Sequence, residues 1–284
     1  MKVLRSVAEA RAFRAASATA SIGLVPTMGA LHQGHAALIE RAVGESDFAA
    51  VSIFVNPTQF GPHEDFGAYP RDEAADLAVC ERLGAAAVFA PSVEEMYPRG
   101  ETTRVQPGAI AARLEGAARP GHFVGVATVV TKLLTIVRPD SAYFGQKDYQ
   151  QLRVVQTIAR DLRLGARIVA CAIVREPDGV ALSSRNTYLT PEQRRDALAL
   201  SRGLFAARDG WSRGERDPSR LRERVRREVS GPGVALEYAS VADPITLDEL
   251  ERPAERAVIS VAARVGKTRL IDNVLLGMDL ADLA

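Results

Sequence analysis

Cysteine, tryptophan and net charge are all scarce in this chain. Its 284 residues include two cysteines and one tryptophan. Two cysteines cannot build a disulfide-stapled scaffold or a four-thiolate metal site. Cys80 and Cys171 each lie in an apolar run, so both are expected to be buried small hydrophobes in a reducing compartment. Thirty-six basic residues face 35 acidic ones, for a formal net charge of +1. No global field therefore draws the chain to nucleic acid or to an anionic membrane. The basic run at residues 220–227 is interrupted by Leu221, Glu223 and Val225 and reads as a solvated helix face. No stretch is long and charge-free enough to span a bilayer. Residues 1–10 lack the apolar core and cleavage pattern of a secretory signal. The expectation is a cytoplasmic protein with no membrane and no nucleic-acid partner. Internal repeats and low-complexity tracts are also lacking. What remains is ordinary globular material, 47% hydrophobic and 25% charged, long enough for one large domain or two ordinary ones.

One stretch organises the rest. Residues 22–25 are an apolar run expected to form a buried parallel strand, ended by Pro26, which lacks a ladder donor. Met28-Gly29-Ala30 follows as a tight turn. From Gly34 onward, Ala36, Ala37, Leu38, Ile39 and Ala42 recur with a helical period. A strand, a glycine turn and a helix N-terminus make an anion site, because unpaired N–H groups and the positive dipole end point outward together. His32 and His35 are three apart and share one side of the first helical turn. Zinc is disfavoured: it needs at least three protein ligands, and the metalloprotease pattern spaces its histidines four apart around a glutamate. Phosphate chemistry is the better reading.

Further apolar runs at residues 48–55, 86–90, 141–144 and 167–174 read as strands. Between them come helical patterns at residues 71–83, 109–114, 121–137 and 148–164, and another precedes the first strand at residues 6–19. This alternation predicts an α/β fold, a doubly wound Rossmann-like parallel sheet. Such sheets bind ligands outside the carboxyl ends of their strands. His32 and His35, Asn56 and Gln59, and Gly145-Gln146-Lys147-Asp148 all fall there. Residues 61–70, with two glycines and two prolines, read as a mobile loop. After residue 175 the texture changes. Thr190, Pro191 and Gln193 form a capping box opening a helix to about residue 207. A second helix follows at residues 218–229, then strands at 234–241, 257–265 and 268–274. The expected division is residues 1–175 as the Rossmann-like domain and 176–284 as a smaller C-terminal α+β domain closing over the phosphate site.

Gly266-Lys267-Thr268 is rejected as a P-loop, because Val261 occupies the position of the first glycine and strands flank it on both sides. Lys147 is a point charge able to reach a phosphate, and Asp148 can accept from ribose hydroxyls or cap a helix. Ser183-Ser184-Arg185 offers two hydroxyls and a guanidinium fork. Gln59 and Gln151 suit a hydroxylated substrate. Arg119 could hold a carboxylate or phosphate. Asp76, with Asp72 and Glu73, reads as a surface charge, with a water-mediated Mg²⁺ contact as the alternative. The residues alone leave open an adenylyltransferase releasing a dinucleotide-type product, or a nucleotide sensor without turnover.

The ordered set P-T-M-G-A-L-H-x-G-H, F-V-N-P-T-Q-F, Y-P-R, G-H-F-x-G-V-x-T-V-V, F-G-Q-K-D-Y-Q-Q and L-S-S-R-N, covering residues 22 to about 275, closely resembles the pantothenate synthetase (pantoate–β-alanine ligase) family. The His-x-Gly-His motif alone would indicate only the wider nucleotidyltransferase and class I tRNA-synthetase group. The resemblance implies ligation of pantoate and β-alanine through a pantoyl adenylate, releasing AMP and pyrophosphate, with ATP as substrate, Mg²⁺ and a homodimer. It implies an ATP site of Met28, Gly29, Ala30, Leu31, His32, Gln33, Gly34, His35, Gly145, Gln146, Lys147, Asp148, Val174, Leu182, Ser183, Ser184 and Arg185. Catalysis is expected from His35, with His32, Lys147 and Arg185. Gln59 and Gln151 match the family's pantoate-binding glutamines, and Asn56 and Arg119 are expected to join them. No protein metal ligand is expected. Leu182, where some relatives carry Met, is a volume-conserving departure.

Overall fold

The structure, a computed structural model, describes residues 1–62 and 64–283. Position 63 of the expected 61–70 loop lies outside the described residues. The chain divides into two units, Met1–Gly145 with Gln150–Cys171, and Gln146–Tyr149 with Ala172–Leu283. The break thus falls after Cys171, and the Gln146–Tyr149 segment joins the second unit.

The first unit runs β1 (Lys2–Leu4), α1 (Val7–Ala16), β2 (Ile22–Thr27), α2 (Gln33–Glu45), β3 (Phe48–Ile53), a 3₁₀ turn at Pro57–Gln59, α3 (Glu73–Arg82), β4 (Ala87–Phe89), α4 (Val93–Met96), a 3₁₀ turn at Ala109–Ala112, α5 (Leu114–Ala118), α6 (His122–Val137), β5 (Ser141–Gly145), α7 (Tyr149–Asp161, all but its first residue) and β6 (Arg167–Cys171). The strands form one parallel sheet in the order β1-β4-β3-β2-β5-β6. From β2 the chain winds to one edge through β3 and β4, then returns to lay β5 and β6 on the other side. The order reverses between β2 and β5, where such sheets open their binding crevice. Residues 28–35 follow β2, and Gly145 ends β5.

Helices cover both faces, which is why the strands read as continuous apolar runs rather than alternating ones. Leu38, Ile39 and Ala42 of α2 and Cys80 of α3 pack with Val25, Val51 and Val88. Helix α6 packs on β2 and on α1. Both cysteines are buried and unpaired, and burial pushes the Cys80 thiol up to about 11.

The structure differs from the sequence reading at three places. Pro26 lies inside β2, which continues to Thr27 in register with β3. Ser21 and Thr27 accept from β3 through their carbonyls, so odd positions face β3 and Pro26 faces β5. Pairing with β5 covers only Gly23 and Leu24, so the missing N–H costs no bond. Second, β1 carried no expectation: three residues paired only with β4 are too short to show a period. Third, the helix expected from Pro191 to about residue 207 is two.

In the second unit, α8 (Pro191–Asp196) and α9 (Leu198–Ser212) are joined by Ala197 at φ −59°, ψ −23°. The Thr190 capping box is present. Helix α10 (Pro218–Glu228) and an antiparallel sheet β7 (Val234–Ala242), β8 (Ala257–Val265), β9 (Thr268–Leu276) complete the unit. Leu204, Ala207 and Trp211 of α9 and Leu221 and Val225 of α10 pack on Ile259, Val261 and Ala263. Gly266 and Lys267 form the two-residue turn between β8 and β9, since Val265 pairs with Thr268. That geometry excludes a P-loop, which needs a helix there.

Candidate active site

Helix α2 starts at Gln33 with His32 as its N-cap. Serine, threonine, aspartate and asparagine usually do this work; here imidazoles do. His32 Nδ1 accepts from the Gly34 N–H at 3.0 Å, and His35 Nδ1 accepts from the His32 N–H at 3.2 Å. This is the reciprocal pattern of a capping box. The rings lie 4.1 Å apart between centroids, tilted by 35°. A neutral imidazole whose Nδ1 accepts carries its proton on Nε2. Both histidines are thereby set in the same tautomer, each with an Nε2–H donor.

The turn before them is built differently from the expectation of outward, unpaired N–H groups. The Gly29 N–H donates to Thr27 Oγ1 at 3.2 Å, the Ala30 N–H to Asp76 Oδ2 at 2.9 Å and the Leu31 N–H to Asp76 Oδ1 at 2.7 Å. With His32 and Gly34 already committed, the protein itself occupies these donors.

Asp76 is not the surface charge expected of it. Asp72 caps α3 and Glu73 pairs with Arg5 at the surface, but Asp76 is only 4% exposed. Burial raises its carboxyl above the ordinary range, and the bonds from Leu31 and Ala30 oppose that rise. It holds a turn with two successive left-handed residues, Gly29 at φ +79° and Ala30 at φ +52°. A Cβ on Gly29 would lie 2.7 Å from Asp76 Oδ2, so glycine is required by both conformation and proximity. Its partners lie 45 and 46 residues away, so no local pattern marks it.

Gln59 ends the 3₁₀ turn after β3. Its Oε1 accepts from Asn56 Nδ2 at 3.0 Å, and its Nε2 lies 3.3 Å from Met28 Sδ. Asn56, expected at the substrate, is instead 1% exposed. Its Nδ2 donates to Gln59 and to Gly125 O, and its Oδ1 accepts from Thr58 and Tyr97. It positions Gln59 and has no face left for a ligand. Gly125 of α6 is needed here too: a Cβ would come within 2.4 Å of Thr58 O. Arg119 does hold a carboxylate, but the protein's own: Nε and Nη2 each donate to Glu64 at 2.6 Å. Burial alone would raise Glu64, but the Arg119 bonds and charge and the Gly61 N–H bring it down to about 2. Arg119 Nη1 also lies 3.0 Å from His122 Nε2. A guanidinium only donates, so His122 Nε2 accepts and its Nδ1–H donates to Gln59 O at 2.9 Å. Burial first, then the Arg119 charge, lower His122 to about 4, consistent with that neutral ring. Gln151 sits half-buried on the first turn of α7.

In the second unit, Gln146–Asp148 form a 3₁₀ turn, with Lys147 Nζ 3.6 Å from Asp148 Oδ2. Residues 176–179 form the turn of a hairpin. Arg175 bridges Ala181, the Leu182 N–H donates to Val174 O at 3.0 Å and the Gly179 N–H closes the turn on Glu176 O. Val174 and Leu182 are therefore cross-strand neighbours. Ser183 Oγ accepts from the Arg185 N–H at 3.3 Å and caps the following 3₁₀ turn, Ser184–Tyr188.

Comparison with known proteins agrees in extent and in fold. The family model described as Pantoate-beta-alanine ligase matches residues 2–275. The chain is 56% identical to the pantothenate synthetase of Chloroflexus aggregans, over 97% of this chain and 100% of that protein. It is 50% identical to that of Moorella thermoacetica, over 97% and 99%. A crystal structure of pantothenate synthetase from Thermus thermophilus superposes with a TM-score of 0.92 at 47% identity, covering 96% of this chain and 99% of that one. A pantoate-beta-alanine ligase from Francisella tularensis, complexed with beta-gamma ATP and beta-alanine, gives 0.80 at 34% identity, covering 99% of each.

Proposed function

This chain belongs to the pantoate–β-alanine ligase family, and from that premise we propose how its residues carry the reaction. The enzyme ligates pantoate and β-alanine in an ATP-dependent reaction that passes through pantoyl adenylate. A pantoate carboxylate oxygen attacks the α-phosphorus of ATP, the bond to the β-phosphate oxygen breaks and pyrophosphate leaves. The β-alanine amine then attacks the acyl carbon, the acyl–phosphate oxygen bond breaks, the amine loses a proton and AMP leaves.

Nucleotidyl transfer asks the protein mainly to position groups and to stabilise charge. The observation that carries our reading is the pair of imidazoles locked as Nε2–H donors beside the β2/β5 switch point. His35 and His32 donate to the charge growing on the α-phosphate. Lys147, Ser183, Ser184 and Arg185 hold the phosphates. Met28 through Gly34, Gly145, Gln146, Asp148, Val174 and Leu182 line the nucleotide, with Gly145 leaving open space above its Cα. Gln59 and Gln151 bind pantoate, Asn56 fixes Gln59, and Arg119 with Glu64 secures the loop that begins at Gly61.

Among the described residues no group of three or more His, Cys, Asp or Glu could hold a metal ion, and both Asp76 oxygens already accept backbone N–H groups. The donor set does not fit a protein-held Mg²⁺. We infer that Mg²⁺ enters on the ATP phosphates, as part of the substrate. The resemblance supports a homodimer, and the two unpaired cysteines support a cytoplasmic location. No helix among the described residues is long and apolar enough to cross a membrane.

Incubation with MgATP, pantoate and β-alanine is expected to yield pantothenate, AMP and pyrophosphate in equal amounts. Phosphorus NMR showing ADP and phosphate would overturn the α-phosphorus assignment. Replacing Gln59 or Gln151 by alanine is expected to weaken pantoate binding by roughly 1–3 kcal/mol, the effect of leaving a buried partner unpaired, with ATP binding unchanged. Calorimetry showing equal losses for both ligands would make the glutamines scaffold residues.

A further inference from the structure

Two neighbouring residues of β9 hold both phosphate-side segments of the second unit. Asn273 is 2% exposed. Its Nδ2 donates to Gln146 O and to Lys147 O, each at 2.9 Å, and its Oδ1 accepts from Gln146 Nε2 at 3.0 Å. Carbonyls only accept, so the amide orientation is settled by its partners. Both of its N–H donors and its oxygen are thereby spent on the turn that carries Lys147. Asp272, 3% exposed, takes the Arg175 fork at 2.6 and 2.8 Å and the Asn273 N–H at 2.7 Å. Arg175 in turn donates to Gly179 O at 3.0 Å, within the hairpin that leads to Ser183 and Arg185.

Asparagine is depleted in strands, and burying its amide is costly unless each polar atom is paired. β9 is an edge strand of its sheet, and nothing in the β8 ladder requires an amide at this position. The Lys147 ammonium stands on a stem of four rotatable bonds, so its reach is set by where its backbone is pinned. We propose that Asn273 is a positioning residue for the nucleotide step: it fixes the Gln146–Lys147 backbone so that the Lys147 ammonium meets the ATP phosphates. The inference rests on the reading that Lys147 acts on those phosphates.

The test is pantoate-dependent exchange of labelled pyrophosphate into ATP, measured in a double-mutant cycle. Asn273→Ala is expected to raise the KM for ATP by about tenfold while the KM for pantoate stays within about twofold. In a Lys147→Ala background the same change is expected to cost no more than about a further twofold, because its effect runs through Lys147. Stability losses, read by urea unfolding, should instead add. A purely structural role predicts equal rises in both KM values or full multiplication in the double variant, and either overturns the inference. Normal kinetics in Asn273→Ala with impaired Lys147→Ala overturns the inference alone. Normal kinetics in Lys147→Ala overturns the role of Lys147, and the inference with it. Should Asn273→Ala fail to fold, Asn273→Asp keeps the shape and removes the double donor, and the same outcomes decide.

Discussion

His35→Ala is expected to slow pantoate-dependent exchange of pyrophosphate into ATP by about 10²–10³-fold, or roughly 2.7–4 kcal/mol, the loss typical of one preorganised donor to developing charge. The donor is preorganised because His35 Nδ1 is held by the His32 N–H, which leaves the ring proton on Nε2. The same bond makes His35 part of the α2 cap, so the alanine variant should also lose about 0.5–2 kcal/mol of stability. His35→Asn separates the two effects. Its side-chain oxygen can still accept from the His32 N–H, so stability should recover while exchange stays slow. Exchange within a few-fold of normal in His35→Ala would remove the residue from the chemistry. Exchange that requires β-alanine would refute adenylation as the first step.

Asp76→Ala is expected to damage both stability and exchange. It removes the carboxylate that accepts from the part-buried Ala30 and Leu31 N–H groups, each worth up to about 1–3 kcal/mol when left without a partner. It also frees a turn whose Ala30 sits in the left-handed region, a conformation that a non-glycine residue keeps only when its surroundings impose it. Urea unfolding should show a loss of roughly 2–4 kcal/mol, and exchange should fall with it, because the imidazoles start from that turn. Asp76→Asn offers one acceptor and one donor where two acceptors are needed, so it should lie between wild type and alanine. Unchanged unfolding and exchange in Asp76→Ala would mean the turn keeps its shape without the carboxylate.

The segment that begins at Gly61 is tied down by side-chain bonds. The sequence marks residues 61–70 only by glycine and proline. The structure adds that Glu64 is joined to Arg119 by two hydrogen bonds and to the Gly61 N–H by a third. From sequence Arg119 reads as a substrate ligand, because an arginine beside a Pro-Gly turn carries no sign of the carboxylate it will meet 55 residues away.

Features with a backbone period or a local partner were legible before folding. The parallel strands announce themselves as apolar runs, the Thr190 capping box needs only residues three apart, and His32 and His35 reach each other within one helical turn. The ordered motifs added the chemistry, since each follows a strand or turn that the sequence also marks. Tertiary structure decided the rest. It turned Asp76 inward, spent Asn56 on Gln59, gave Arg119 to Glu64 and set Asn273 under Lys147 from 126 residues away. The reason is physical. Backbone periodicity is a property of neighbouring residues, whereas a polar side chain's partner is whichever unsatisfied group the folded chain buries beside it.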